Sequence, residues 1–410
     1  MTTTSATILP STDERRRETW LIALVSAAHF VSHYFIILLA PLFVFIRADY
    51  GVSYTELGLA FVAFNVVTAL LQTPAGFLVD RIGAKPLLVA GVLLGAVAIA
   101  VAAAVDSFWI FVAMFGVAGL ANTVYHPADY TLLSQGVSSD RISHAFSIHT
   151  FAGMLGGAAA PASLLLMHNL AGWRGAFLGA AALGVVTAAV LAFSRDLDVR
   201  RPQPKTAEKP QDGRTGWRLL LSLPILQSLF FFVLLAITNA GLQNYSVVAL
   251  GALYGTPLGV ANTALSGYLL LTAIGVLSGG FASARTNRHA LVASIGLVAA
   301  AVVNFLIGTT DLGSLFLITM MSLSGFLTGV IMPSRDLIVR ENTPAGSFGK
   351  VFGFVTTGFN IGGIVSPLVF GAFMDQNLPR WVFIFVAAMS LLSVATVLII
   401  PRRRVTAPMM

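Results

Sequence analysis

The chain has 410 residues, 57% of them hydrophobic and 10% charged, with a mean hydropathy of +0.85. A wetted globular surface needs about a quarter of its residues charged, so an ordinary soluble enzyme, a basic-patch nucleic-acid binder and a disordered chain are excluded. No cysteine occurs, which removes disulfides, thiolate metal sites and cysteine nucleophiles.

Residues 1–18 read as a polar tail. Twelve apolar runs follow, each long enough for the ~20 residues that cross a bilayer: 19–46, 54–79, 86–105, 108–134, 142–168, 173–193, 218–248, 257–282, 289–309, 312–339, 349–374 and 379–400. Hydrocarbon offers the backbone no partner, so such runs are helices; the ~10-residue alternating strands of a barrel are absent. Span 1 is too long for a signal-peptide core and no clear small-residue cleavage site accompanies it, so it is expected to stay. Of the 24 Lys and Arg, only Arg47, Arg174 and Arg380 fall opposite the N-terminus. The net charge of +7 is therefore an orientation signal that predicts a multi-pass cell-membrane protein with both termini cytoplasmic. Residues 194–217, with dense charge and three prolines, read as a solvated linker. The expected organisation is a tail (1–18), a six-helix bundle (19–193), the linker (194–217), a second six-helix bundle (218–400) and a tail (401–410).

Polar residues inside spans are costly and mark candidates for function. Span 1 carries His29 near its middle, His33 one turn on, and Tyr34. Two such histidines can exchange protons near neutral pH; hydrogen bonding to neighbouring helices is the competing reading. No third ligand accompanies them at convincing spacing, so no metal or other cofactor is expected. Span 2 contributes Asn65. Span 4 ends in Asn122, Tyr125, His126 and Asp129, and span 5 carries His144 and His149. Span 7 holds Asn239, Gly241, Gln243, Asn244 and Tyr245. A glycine among amides predicts local unwinding toward a cavity, where irregular backbone is tolerated. Tyr268 in span 8 is a further cavity candidate, whereas Asn304 and Asn360 serve equally well as interhelical hydrogen bonds. Span 10 carries Arg335 and Asp336.

The halves repeat. A shift of 206 superimposes Gly119 on Gly325, Pro127 on Pro333, Thr150 on Thr356, Gly156-Gly157 on Gly362-Gly363 and Pro161 on Pro367. A shift of 204 superimposes Tyr50-Gly51 on Tyr254-Gly255, Gly76-Phe77 on Gly280-Phe281 and Arg81 on Arg285. Glycines and prolines in register across several helices indicate duplication. Six spans per half make the repeats parallel, able to rock about a site between them. Asp129 and Arg335 correspond under the 206 shift. They form a candidate gate, paired when the cavity opens outward and apart when it opens inward; local pairing of Arg335 with Asp336 is the alternative.

Between spans 2 and 3 the chain reads Gly76-Phe77-Leu78-Val79-Asp80-Arg81-Ile82-Gly83-Ala84-Lys85. This loop resembles the signature loop of the major facilitator superfamily, and the likeness extends to the twelve spans, the six-plus-six repeat and the central linker. The resemblance implies an all-α membrane protein of two pseudo-symmetric six-helix bundles, with Asp80, Arg81 and Lys85 as a conformational latch. The second copy, Gly280 to His289, lacks the acid and the turn glycine. The span-4 arginine of many proton-coupled members is missing, and Gly153 to Pro161 is only partly like the glycine-rich antiporter signature. The His126-Pro127-Ala128-Asp129 run and the span-1 histidine are similar to the fosmidomycin-resistance branch, whose members are efflux proteins.

The leading expectation is a proton-coupled secondary transporter of a small organic solute, exporting rather than importing, monomeric and lipid-embedded. An importer of a small organic anion, with His29 and Arg335 as charge partners, is the alternative. A membrane enzyme acting on lipid and a channel are remoter: no nucleophile with an oriented base is legible, and the repeat fits rocking better than a fixed filter. No phosphate-binding loop for a nucleotide occurs.

Overall fold

The computed structural model describes residues 12–197, 217–343 and 348–399. The tail before Thr12, most of the 194–217 linker, and Arg402 to Arg404 in the last tail lie outside the described residues. Among the described residues, twelve helical spans run back and forth. Span 1 covers Thr12–Tyr50, with a 3-10 turn at Ala40–Leu42 where Pro41 lacks an N–H. Spans 2 and 3 are Tyr54–Ile82 and Ala84–Ala104; span 4 is in two pieces, Phe108–Asn122 and Tyr125–Gly136. Spans 5 and 6 are two helices within Ile142–Phe193, parted by non-helical backbone at Ala171 and at Gly172, whose φ is 70°. Spans 7 to 12 are Leu223–Tyr254, Leu258–Ala284, His289–Thr309, Gly313–Glu341, Phe348–Asp375 and Arg380–Ile399. We call the face where span 1 begins proximal and the face of Gly51 distal.

Two expectations change. Span 1 starts at Thr12, so Arg15, Arg16 and Arg17 are helical rather than part of a loose tail. The predicted interruption of span 7 is absent: Leu223–Tyr254 is one helix, and Gly241 serves packing, since a side chain there would strike the Phe370 ring. Span 4 breaks instead. The Pro127 ring crowds the carbonyl four residues back and offers no N–H to it, and the helix stops at Asn122 and restarts at Tyr125. Pro333, its repeat mate, sits in an uninterrupted helix.

The duplication is visible as matched contacts. Gly119 lies against the backbone of Phe64, and Gly325 against that of Tyr268. Gly156 lies against Phe30, and Gly362 against Val233 and Ala236. At each of these positions a Cβ would overlap the facing helix, so close packing accounts for the small residues. Gly51 and Gly255 both end their helices in the left-handed region with φ of 63°.

The halves meet through spans 2 and 11 and through spans 5 and 8. On the distal side they close tightly. A side chain at Gly58 would run into the Tyr245 hydroxyl and the Pro367 ring, and one at Gly371 into Thr55. Asp375, at the end of span 11, accepts hydrogen bonds from the backbone N–H of Tyr54 (2.6 Å) and Thr55 (2.9 Å). Ser53 and Glu56 complete a capping box on the same turn. The exposed N–H groups that start span 2 are thus satisfied partly by the other half of the molecule. On the proximal side a cleft of about 670 Å³ lies between spans 5 and 8, beside Pro333.

Candidate functional site

Two groups of polar side chains occupy the interior. The first lines a cavity of about 300 Å³ between the halves. Asn65 and Asn122 come from the first half and Asn239, Gln243, Asn244 and Asn360 from the second, with five phenylalanines filling the wall between them. Span 7 places Asn239 and Gln243 one turn apart on one face, and the helix end at Asn122 turns that amide inward. Asn65 donates to the Phe61 carbonyl at 2.8 Å and, across the interface, to that of Gly363 at 3.4 Å. Tyr268 lies behind the wall, its hydroxyl donating to Asn239 Oδ1 at 2.8 Å. Among the described residues the side chains of Asn122, Gln243, Asn244 and Asn360 make no hydrogen bond.

The second group lies wholly in the first half, where spans 1, 4 and 5 pack. The imidazoles of His29 and His149 stack with centroids 3.9 Å apart and planes 11° apart. His29 Nδ1 is bonded to the His149 carbonyl oxygen at 2.8 Å. His33 meets His29 edge-on at 4.6 Å, and His126 approaches it at 5.5 Å. Asp129 Oδ2 lies 3.7 Å from His149 Nε2, with both residues fully buried. The ring of His29 fits only because residue 153 is glycine. Both Asp129 oxygens, His29 Nε2, both His149 ring nitrogens and the Tyr125 hydroxyl are buried without a hydrogen-bond partner among the described residues. A buried carboxylate beside unpartnered imidazoles is costly, and a proton or a small movement relieves it.

The remaining predicted residues scatter. Tyr34 bonds to Ser163 at 2.8 Å away from the cavity lining. Tyr245 is fully buried on the distal side, its hydroxyl donating to the Pro367 carbonyl at 3.0 Å, so it roofs the cavity and does not line it. His144 is exposed and stands apart from the histidine group. Arg335 pairs with Asp336 at 2.8 Å and lies over the rings of Phe232 (4.7 Å) and Phe359 (5.1 Å). The Asp129–Arg335 pair is not formed here, with the cleft open on the proximal side. Asp80 and Arg81 are exposed, while Lys85 Nζ donates to the Ser194 carbonyl at 2.6 Å within the first half. Sequence reasoning left Asn360 undecided and did not join His149 to His29; it also missed Asp375. An acid at the end of span 11 was the only signal for the last of these.

A family model described as Major Facilitator Superfamily matches residues 25–254 and again 229–408. The chain is 28% identical over 374 residues to the "Probable sulfoacetate transporter SauU" of Cupriavidus necator, covering 82% of each chain. It is 27% identical over 360 residues to the "Probable nitrate/nitrite transporter NarK2" of Mycobacterium tuberculosis, covering 82% of this chain and 85% of that one. Among solved structures, a bacterial homolog to the human lysosomal transporter Spinster, in an inward-facing and unoccupied conformation, superimposes with a TM-score of 0.76 at 14% identity. The alignment covers 96% of this chain and 100% of that one. A mutant of the nucleoside transporter NupG gives 0.74 at 15% identity, covering 93% and 99%.

Proposed function

The chain belongs to the Major Facilitator Superfamily, and from that premise we propose a proton-coupled secondary transporter that moves a small organic solute by alternating access. The observation that carries the proposal is the amide-lined cavity between the halves, sealed distally by spans 2 and 11 and flanked proximally by the cleft between spans 5 and 8. Rocking of parallel repeats about such a site exposes it to one face at a time. The proximal face is taken as cytoplasmic, because all but three of the 24 cations belong there.

Protons enter this reading at the His29–His149–Asp129 group. It is buried, it lies in one half only, and among the described residues His29 Nε2, both His149 ring nitrogens and both Asp129 oxygens lack hydrogen-bond partners in the proximal-open arrangement. A proton bound there changes which packing of spans 1, 4 and 5 is favoured, which is what coupling requires. In proteoliposomes, an imposed pH gradient is expected to drive solute accumulation, and His29→Ala is expected to abolish that drive. Flux indifferent to the gradient, with normal accumulation by His29→Ala, would falsify proton coupling.

Export remains the proposed direction, resting on the span-4 likeness to the fosmidomycin-resistance branch. A second reading is import of a small anion; the sulfoacetate and nitrate/nitrite for which the two relatives are described as probable transporters favour the anion. Against its simplest form, His29 is buried inside the first half and Arg335 is already engaged by Asp336. Flux direction in oriented vesicles separates the two.

A further inference from the structure

We propose that the cavity binds an uncharged, ring-containing polar solute, with hydroxyl or amide-type groups on its edge and an apolar face. The inference rests on the transporter reading and supplies its substrate class. Six carboxamides converge on the cavity, and no Asp, Glu, Lys, Arg or His is among its described lining residues. A carboxamide presents donors and an acceptor without charge, so the ring of amides matches alternating donors and acceptors on a neutral molecule. Four of them have no partner among the described residues, and the cavity's occupant completes their bonding.

Charge is disfavoured on geometric grounds. Arg335 borders Asn239 in an adjoining small pocket but is paired with Asp336 at 2.8 Å. Asp129 faces His149 inside its own half. An ion brought among phenylalanines and neutral amides would keep no counter-charge after losing its water. Those same phenylalanines, Phe61 and Phe359 among them, cover the face of a ring that amides address only at its edge. A cavity of about 300 Å³ admits a molecule the size of a monosaccharide, a cyclitol or a nucleobase.

The test uses the purified full-length chain and matched pairs that differ in charge: galactose and galacturonate, uracil and orotate, nicotinamide and nicotinate. Ligand-induced thermal stabilisation reads binding directly, without transport or a gradient. At least one neutral member is expected to stabilise the protein, with its charged partner about tenfold weaker or more, and with the effect lost in Gln243→Ala and Asn244→Ala. The sugar and base pairs distinguish the two neutral chemistries. A charged member binding as well as its neutral partner overturns the proposal, as does silence of every neutral member. Because the readout is binding, a neutral ligand that binds without being carried against a gradient would sink the transporter reading and leave this one standing.

Discussion

Asp129→Asn is expected to abolish pH-driven accumulation while leaving solute counterflow within a few-fold of the parent. Asparagine keeps the shape of the aspartate and can hold no exchangeable proton of the kind the carboxyl carries. One proton moving with or against each solute supports about tenfold accumulation per unit of pH gradient, since one pH unit corresponds to ~1.4 kcal/mol. That factor is what the variant should lose. Counterflow needs only the rocking of the halves about the amide cavity, which Asp129 does not line. The measurement is paired: accumulation under a gradient and exchange without one, in the same vesicles. Retained accumulation would remove Asp129 from the proton path and leave His29 and its neighbours His33, His126 and His149 as the carriers.

The second large effect is expected at the distal seal. Asp375 is exposed, yet it supplies the acceptors for two N–H groups that open span 2, across the boundary between the halves. Removing a helix N-terminal acceptor costs about 0.5–2 kcal/mol, and here the cost falls only on the distally closed arrangement. Asp375→Ala should therefore raise the distal-open population by roughly twofold to thirtyfold. Spin labels at Ala48→Cys and Gln376→Cys would report it as growth of the long-distance fraction. The natural chain has no cysteine, so the labels go where they are placed. An unchanged distribution would mean that the packing of Gly58 and Gly371 holds the seal unaided.

Much of this architecture was legible because membrane physics writes it coarsely. Twelve apolar runs, the cation asymmetry and the glycines and prolines recurring at 204 and 206 residues specify two parallel bundles. The amides were legible for the same reason: Asn65, Asn122, Asn239, Gln243 and Asn244 are conspicuous in hydrocarbon, and five of five line one cavity. What was hidden depends on distant packing. His149 lies 120 residues from His29 and joins it only because Gly153 and Gly156 let span 5 settle against span 1. Asp375 meets Tyr54 across 321 residues. The break in span 4 was misplaced to span 7 because local rules do not rank breakers. Pro127 interrupts a helix, while Pro161, Pro333 and Pro367 sit inside continuous ones, where neighbouring helices hold the geometry. Gly241 resembled a weak point and is a seat for Phe370.

Alternation of the two faces is the claim on which the rest depends, and paired distances in the otherwise native chain test it. One spin-label pair, Ser143→Cys with Ala284→Cys, spans the proximal cleft, and the other, Ala48→Cys with Gln376→Cys, spans the distal seal. Titrating pH in lipid nanodiscs should redistribute both pairs in opposite senses, one lengthening as the other shortens. Two distances that move together, or a distal pair that stays closed under every condition that alters the proximal one, would contradict alternating access in this protein.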